Sequence, residues 1–249
     1  MFVLIVLILG CCAPVFAAQA ETPSRAALYS VPTVNWEPYW IVNRGEGRGI
    51  LGDLMREVAA LVPQALSPAE PLPVKRNQHL FDVGEIAVEC CVNTAWRPQK
   101  DSNGVSLWSD TVMMTYETVI TPRRADRSID SVAALEGLDI ATILGYGYAA
   151  DDTFTRFDVA NNIAQLTLVA AERVDAAIID EYEYRYVVRQ HPNVLPLANR
   201  LEKQARIGAS ELKIRIHSSR PDLLTPINEA IATLQERGVI EALVRAYSR

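Results

Sequence analysis

The sequence predicts an α/β protein of two lobes with a cleft between them. Short apolar runs alternate with amphipathic segments along most of the 249 residues, a pattern typical of strands and helices packed in α/β layers. The pattern occurs twice. Two extended, β-rich segments, near 111–121 and 209–217, are placed to cross between the two sets, and no repeat of 20–50 residues is visible. Two α/β sets joined by two crossings predict two lobes that share a hinge.

Several elements of the first set are marked by turn and capping residues. A strand over 31–34 must end before Pro38, since proline cannot continue a central strand. A helix is predicted to open near 52–53, with Asp53 as its cap, because apolar residues then recur at helical spacing. The proline-rich segment 67–73 is predicted to be a loop, and a short strand is predicted near 86–90.

The second set continues in the same alternation. The predicted elements are a helix at 131–136 ended by Gly137, a strand at 140–144, helices at 149–157 and 163–172, a strand at 174–179, a helix at 181–190, a strand at 194–197, a β run at 212–216, and helices at 224–237 and 239–247.

Asp180 directly follows the most strongly apolar strand of the second set. Ligands of open α/β sheets lie at the carboxyl ends of strands, so this carboxylate is a candidate for ligand binding. It is also placed to cap the helix predicted to start at Glu181. The two roles are compatible, and both stay open here.

Composition excludes some classes of partner. The chain is 49% hydrophobic and 22% charged, with a formal net charge of −6 and a pI of about 5.2, which is ordinary for a globular protein. Lysine and arginine are scattered, whereas nucleic-acid binding needs a basic face, so no nucleic-acid partner is expected. No metal-ligand spacing is present, and we expect no metal or cofactor.

The N-terminus resembles an export signal. Residues 1–9 are wholly apolar, and small residues then lead to Ala20, which predicts a signal peptide over 1–20 and a periplasmic mature protein. No positive charge precedes the apolar run, so the signal is atypical. Residues 8–11 also resemble a lipobox, in which Cys11 would carry a lipid anchor; this is the less favoured alternative.

Two cysteines remain after the predicted signal, and they are adjacent. Cys90 and Cys91 could form a disulfide in an exported protein, or stay as two small buried thiols at a strand end. A bond between neighbours closes a very small ring and restricts the unfolded chain little. We therefore favour the two thiols.

The order of several short motifs resembles the family 3 extracellular solute-binding proteins, the amino-acid receptors of bacterial uptake transporters. The resemblance runs from about residue 31 to 247. It rests on the aromatic segment 34–39, the glycine and acidic residues of 49–58, Thr94 to Arg97, Trp108-Ser109-Asp110, Leu135-Glu136-Gly137, and Val174-Asp175-Ala176 with Asp180 beyond.

The resemblance implies a fold and a function. The fold is the two-lobe periplasmic-binding-protein fold of type II, with residues 21–115 and 213–249 in lobe 1 and residues 116–212 in lobe 2. The function is capture of an amino acid, or a similar small carboxylate or zwitterion, by hinge closure, and delivery to the permease of an ABC transporter. A monomer without cofactor is expected.

The resemblance also implies a set of ligand-binding residues. Arg97, with Thr94, would hold the ligand carboxylate, and Asp180 would pair with its ammonium from the opposite lobe. The turn at 145–147 would open a helix whose N-terminus favours anions. The full set is Trp36, Tyr39, Asn93, Thr94, Arg97, Tyr146, Gly147 and Asp180.

Other interpretations of these residues remain open. Arg97 could instead be an exposed loop arginine paired with a Glu or Asp of its own chain, although ligand binding is the favoured role. The segments 90–93 and 145–147 depart from the family pattern within the implied ligand shell, which leaves the ligand's identity open. One alternative function is a cyclohexadienyl-dehydratase-like enzyme, with Asp180 or Glu181 as base. Another is a sensory binding protein with an atypical site.

Overall fold

A computed structural model describes residues 26–43, 46–97, 104–125 and 127–248. The predicted signal peptide, 1–20, and the alternative lipid site at Cys11 lie outside the described residues. Among the described helices, none is both long enough and apolar enough to cross a membrane.

Ten strands lie in the described part of the chain, and eight of them form one sheet. The sheet order is β4-β1-β5-β10-β6-β9-β7-β8, and β2 and β3 form a separate hairpin. The strands are β1 (Ala27–Tyr29), β2 (Ile41–Asn43), β3 (Glu46–Arg48), β4 (Leu66–Pro68), β5 (Val88–Val92), β6 (Ser106–Pro122), β7 (Asp139–Ile143), β8 (Thr155–Val159), β9 (Ala176–Asp180) and β10 (Leu201–His217).

The two long central strands connect the two halves of the sheet. β6 and β10 are 17 residues each and run antiparallel, with partners from Leu201 opposite Pro122 to His217 opposite Ser106. β5, β1 and β4 continue the sheet on one side, and β9, β7 and β8 continue it on the other. The predicted two-lobe α/β fold with two crossing strands is confirmed, and both crossings are longer than predicted.

The described part of the chain contains seven α-helices. They are α1 (Gly49–Leu61), α2 (Val74–Asp82), α3 (Asn162–Ala170), α4 (Glu181–Gln190), α5 (Leu195–Ala198), α6 (Leu224–Glu236) and α7 (Val239–Ser248), with short 3-10 turns at Thr94–Trp96, Val132–Leu135 and Pro221–Leu223. The bounds of α4 are those that the sequence predicted.

Each lobe has its own apolar core. In the first lobe, which contains β1 and β5, one cluster joins the sheet to α1 and α6 through residues such as Leu54 and Ile227. In the second lobe, which contains β7 and β9, side chains that alternate along β9 enter two clusters: Ile179 packs with α3, and Ile178 packs on the opposite face. The second lobe therefore has three layers, which are a helical layer, the sheet and a layer of turns.

Two predicted elements of the second lobe are wrong. Residues 155–159 are strand β8 rather than the end of a helix, because Thr155 and Val159 pair with β7 in a parallel edge ladder. Residues 194–197 are not a strand: Leu195–Ala198 is a short helix with Pro196 in its first turn, where proline's missing N–H is tolerated.

Smaller corrections apply to the first lobe. The first strand lies at Ala27–Tyr29, before the predicted 31–34, and β4 occupies the start of the predicted loop. Helix α1 begins at Gly49, so Asp53 lies inside it and is not its cap. The Asp53 carboxylate instead accepts a hydrogen bond from the hydroxyl of Tyr247 at 2.6 Å and so ties α1 to α7.

The two adjacent cysteines are bonded to each other. Cys90 and Cys91 form a disulfide within β5, and both residues are buried. The expectation of two free thiols was wrong. The disulfide lies directly before the segment that holds Asn93 and Thr94, two of the predicted ligand residues.

Candidate ligand-binding site

Asp180 lies where the two lobes meet. It ends β9 opposite Glu117 of β6, and it caps α4: its Oδ1 accepts hydrogen bonds from the backbone N–H groups of Tyr182 at 2.8 Å and Glu183 at 3.1 Å. The capping role predicted from sequence is confirmed. The same carboxylate also contacts the first lobe, so it has hydrogen-bond partners besides the N–H groups of α4.

Tyr39 and Thr115 reach Asp180 from outside the second lobe. The fully buried Tyr39 hydroxyl donates to Asp180 Oδ1 at 2.9 Å, and the Thr115 hydroxyl on β6 bonds to Oδ2. The two hydroxyl oxygens are themselves 2.6 Å apart. Side chains from three separate segments thus form a closed triangle of oxygen contacts.

The loop that carries Tyr39 is held by the start of α1. Backbone N–H groups of Ile50 and Leu51 donate to the carbonyls of Pro38 and Tyr39, each at 2.9 Å. Gly49 allows this approach, since its φ is +95° and a Cβ there would lie 2.6 Å from both carbonyl oxygens. The backbone of α1 therefore fixes the position of the aromatic loop.

A second contact between the lobes joins Trp36 to Glu183. The indole Nε1–H of Trp36 donates to Glu183 Oε1 at 2.6 Å, and the Asn162 side-chain amide donates to Oε2 at 2.6 Å. Glu183 is 6% exposed. The Trp36 ring packs 4.4 Å from that of Tyr39 and 6.1 Å from that of Trp96, centroid to centroid.

Glu183 is a site residue that the sequence analysis missed. Two acids in the first turn of a helix are ordinarily explained by the helix dipole. The available signal was spacing: Glu183 is three residues beyond Asp180, so both side chains lie on the same face of α4. Its partner Trp36 is 147 positions away in sequence, and no local sequence pattern predicts that contact.

Burial and mutual repulsion raise the pKa values of these acids. For Asp180, burial raises the pKa from its ordinary 3.8 to about 6, although hydrogen bonds from Glu183, Tyr39 and Tyr182 oppose the shift. For Glu183, burial and then the charge of Asp180 raise the pKa to about 8. Burial and Asp180 also raise the pKa of Glu117. The lobe junction is an acidic, poorly hydrated site.

Arg97 is committed to an acid of its own lobe. Its Nη2 lies 2.6 Å from Glu89 Oε1 and its Nε lies 3.3 Å from Oε2, while Nη1 donates to the Trp96 carbonyl at 2.9 Å. Glu89 is held in turn by the fully buried Arg215, whose Nη1 is 3.1 Å from Oε2. The pairing with an internal acid, left open by the sequence, is the arrangement observed.

The remaining predicted residues lie at the exposed edge of the site. Asn93 caps the 3-10 turn, accepting the N–H of Ala95 at 2.8 Å, and Thr94 is exposed. Tyr146 is 44% exposed, and a Cβ on Gly147 would meet only open space. No helix starts in the described residues directly after this turn, so the expected anion-binding helix N-terminus at 145–147 was wrong.

Neither Glu181 nor His217 supports the alternative of an acid–base catalyst. Glu181 is buried, but Lys203 at 2.7 Å and Arg206 at 2.6 Å neutralise it; their hydrogen bonds outweigh burial and lower its pKa. His217 packs against Phe81 and contacts Ser219 Oγ at 2.7 Å. Within the described residues, no group of three His, Cys, Asp or Glu could hold a metal ion.

Solved structures of known proteins share this fold. The ligand-binding core of GluR0 in complex with L-glutamate is 19% identical, with a TM-score of 0.70 over 92% of this chain and all of that chain. An arginine-binding protein of T. maritima is 16% identical, with a TM-score of 0.64 over 89% and 94% of the two chains. The ancestral amino-acid-binding protein AncCDT-1, described as a precursor of cyclohexadienyl dehydratase, is 16% identical, with a TM-score of 0.64 over 90% and 96%.

The other matched structures extend the same fold to different roles. They include a substrate-binding domain of a putative amino acid ABC transporter and a histidine kinase sensor domain similar to periplasmic binding proteins. No family model and no curated sequence matches the chain. The protein therefore has the two-lobe fold of periplasmic amino-acid-binding proteins.

Proposed function

We propose that the protein is an exported solute-binding receptor, related to the family 3 solute-binding proteins, that encloses an amino acid or a similar small zwitterion between its lobes. The observation that carries the proposal is the junction itself. Aromatic donors of the first lobe, Trp36 and Tyr39, meet carboxylates of the second lobe, Asp180 and Glu183. A ligand ammonium can take the place of those donors and form ion pairs with the acids.

The ligand's other end would lie against the 3-10 turn. Thr94 is exposed there, and Tyr146 and Gly147 border the opposite side in this proposal. Arg97 would bind a ligand carboxylate only after giving up Glu89, because that acid holds both Nε and Nη2. Recognition of the ammonium by Asp180 and Glu183 is accordingly the dominant electrostatic contribution in this proposal.

Export and transport complete the proposed role. The apolar N-terminal segment would direct the chain to the periplasm, and the closed, loaded form would deliver its ligand to an ABC permease. The lobes would be residues 21–115 with 213–249, and residues 116–212, joined by β6 and β10. The receptor would act as a monomer without a metal or cofactor.

Calorimetric titration of the purified chain, residues 21–249, tests the proposal. The probes are the twenty amino acids, each compared with its amine lacking the α-carboxylate. At least one should bind, and Asp180→Asn should weaken that binding at least tenfold, since it removes the charge but keeps a helix cap. Absence of binding by every probe at pH 6 and pH 8 would contradict the proposal.

A second candidate is an enzyme on the same scaffold. The raised pKa of Glu183 is the observation that favours it, because an acid that holds its proton near neutral pH can serve as general acid or base. Turnover of prephenate or arogenate, followed by absorbance of the aromatic product, is the direct assay. Activity that Glu183→Gln abolishes would establish the enzyme.

A third candidate is a sensory receptor, and here the observation is the direct bonding between the lobes. A closed form stabilised by Trp36 and Glu183 would signal without any ligand. This role and transport make opposite predictions for the addition of an amino acid. A sensor of this kind stays closed whether or not the amino acid is added, whereas a transport receptor closes around it. Scattering by the chain at pH 8.5, with and without an amino acid, distinguishes them.

A further inference from the structure

The oxygen atoms of three side chains at the lobe junction make more contacts with one another than there are hydroxyl hydrogens to fill them. Tyr39, Thr115 and Asp180 form three close pairs: Tyr39 with Asp180 at 2.9 Å, Tyr39 with Thr115 at 2.6 Å, and Thr115 with Asp180. Each of these pairs is at hydrogen-bonding distance or closer. While Asp180 is ionised, only two hydrogens, one on each hydroxyl, are available for the three contacts.

A proton on Asp180 completes the triangle. Oδ2–H then donates to Thr115, Thr115 donates to Tyr39, and Tyr39 donates to Asp180 Oδ1, so that each contact contains one hydrogen. Burial and the neighbouring Asp180 raise the pKa of Tyr39 well above its ordinary value, so the phenol keeps its hydrogen and remains a donor. The geometry of the triangle is therefore that of a protonated carboxyl group.

Glu183 makes a second charge at this place costly. It is buried beside Asp180, and its two oxygens accept from the neutral donors of Trp36 and Asn162. In the described part of the chain, no lysine or arginine forms an ion pair with either acid, whereas Glu181 on the same helix has three such partners. Two buried carboxylates without a cation are strongly unfavourable, so one proton shared by the pair relieves the repulsion.

The other groups around the pair do not replace that proton. The facing titratable groups are Glu117 of β6, Tyr39, Tyr146, Tyr148 and Tyr182. The neighbouring guanidinium of Arg206 is 2.6 Å from Glu181, and that of Arg156 lies 2.8 Å from Asp158. Both cations are thus bound to other acids, and the remaining groups are neutral or negative.

On the basis of the lobe closure proposed above, we infer that Asp180 and Glu183 together form a proton-binding site that exists only when the lobes are closed. Closing takes up one proton and opening releases it. The ligand-free protein is then closed on the acidic side and open on the alkaline side. A ligand ammonium that enters the site displaces the proton, because it supplies the same positive charge.

The direction in which pH shifts the equilibrium between the open and closed forms follows from the raised pKa values. In the open form the carboxyls return to water and to ordinary pKa values of 3.8 and 4.5. The closed form therefore binds more protons than the open form at every pH between about 4 and 8. The stabilisation of the closed form relative to the open form is fully present below about pH 4. It is lost as the pH rises from about 4 to about 8.

Small-angle scattering of the ligand-free chain, residues 21–249, from pH 5 to pH 9 measures the effect. The wild type should expand as the pH rises, with the open-to-closed ratio increasing about tenfold per pH unit, as release of one proton requires. Glu183→Gln and Asp180→Asn each leave a single buried carboxyl without the second charge, so both should be less open than the wild type at pH 8.5. Glu181→Gln, a buried acid on the same helix that already has cations, should open at the wild-type pH.

A second measurement keeps the test independent of folding defects. Carbon-13 spectra of the side-chain carboxyls should show one carboxyl of the wild type titrating above pH 6, and the pKa of that carboxyl should be lower in Asp180→Asn, which removes the charge of Asp180 but not the burial of Glu183. The inference would be overturned if the size of the ligand-free chain, measured by scattering, did not change from pH 5 to pH 9. It would also be overturned if every carboxyl titrated below pH 5. Both measurements omit ligand, so they can fail while amino-acid binding is found, or succeed while it is not.

Discussion

Glu89 shows how a single side chain decides what its neighbours can do. It lies on β5, 7% exposed, and binds two guanidinium groups, those of Arg97 and Arg215. Arg215 is fully buried, with its guanidinium 4.0 Å from the centre of the Phe81 ring and its Nε bonded to Ser106 at 2.7 Å. One carboxylate thus makes a buried arginine tolerable and holds the predicted carboxylate receptor, Arg97, away from a ligand.

Replacing Glu89 by glutamine should therefore destabilise the protein. Glu89→Gln leaves the buried Arg215 with the more distant Asp82 carboxylate, 3.8 Å from its Nη2, in place of its close counter-ion, and we expect a loss of about 3 kcal/mol in the free energy of unfolding. Asp222→Asn, in an exposed pair with Arg220, is the control and should change it by less than about 0.5 kcal/mol. Urea denaturation measures both. Equal effects would show that the buried triad contributes no more than a surface pair.

The same substitution has a functional consequence under the proposed receptor role. Arg97 loses its acid in Glu89→Gln, so its two nitrogens become available for a ligand carboxylate. Affinity for an amino acid should rise relative to the matching amine, by about tenfold, which corresponds to one added charge-assisted hydrogen-bonded pair. An unchanged ratio of the two affinities would place Arg97 outside the ligand's reach.

Helices and strands with a strong hydrophobic periodicity or a long apolar run were predictable from the sequence. Those whose structure depends on pairing with another strand were not. Helix α4 was predicted to the residue, and the crossing strands β6 and β10 were predicted in place but too short. Strand β8 was missed because three of its five side chains are exposed, and only its pairing with β7 makes it a strand.

Site residues show the same division. The placement of Trp36, Tyr39 and Asp180 at the lobe junction was predictable, because proline, aromatic residues and a strand end mark them locally. Glu183 and Thr115 were not, since their roles depend on contacts 147 and 65 positions away in sequence. The pairing of Arg97 with Glu89 joins positions eight apart, but which acid an arginine selects depends on three-dimensional packing.

The start of α1 offers a sharp test at the level of an element. Gly49→Ala places a methyl group 2.6 Å from the carbonyl oxygens of Pro38 and Tyr39 and forces alanine to φ +95°. We expect a loss of about 2–4 kcal/mol, and a displaced aromatic loop that weakens ligand binding. Thermal and urea unfolding measure the loss.

Gly137→Ala is the matched control for that substitution. Gly137 also has a positive φ, +73°, but a Cβ there meets no atom within 4 Å. Its substitution should cost only the backbone strain, about 1 kcal/mol, and leave binding unchanged. If the two variants lose the same stability, the close approach of the α1 backbone to the aromatic loop is not what requires glycine at position 49.

At the scale of the whole molecule, one sheet carries both lobes, yet the polar contacts between them are few and acidic. β6 and β10 run through the centre, and the buried apolar clusters of the two lobes are separate, although Tyr182 of α4 packs against the cluster of the first lobe. The contacts from Trp36 to Glu183 and from Tyr39 to Asp180 join the lobes directly. Under the proposed lobe closure, the balance between open and closed forms is sensitive to the charge at this junction, and the free energy of unfolding is sensitive to it as well.

Two groups of carboxylates act on stability in opposite directions as the pH changes. Burial opposes ionisation of Glu181, but Lys203 and Arg206 lower its pKa, so its stabilising effect is lost as the pH falls through that lowered value. Glu183 has a raised pKa, so its unfavourable ionisation reduces stability as the pH rises from about 4.5 to about 8. Thermal unfolding temperature should therefore peak on the mildly acidic side of neutrality and decline toward pH 9.

Glu183→Gln separates these two contributions. It removes the alkaline decline and leaves the acidic one, so its unfolding temperature should exceed that of the wild type at pH 8.5, by an amount equivalent to about 2 kcal/mol. At pH 4.5, where the wild-type carboxyl is protonated, the two proteins should differ little. Calorimetric scans at the two pH values provide the measurement. A variant that is less stable than the wild type at both would mean that ionised Glu183 stabilises the closed junction, and that its bonds to Trp36 and Asn162 outweigh the repulsion from Asp180.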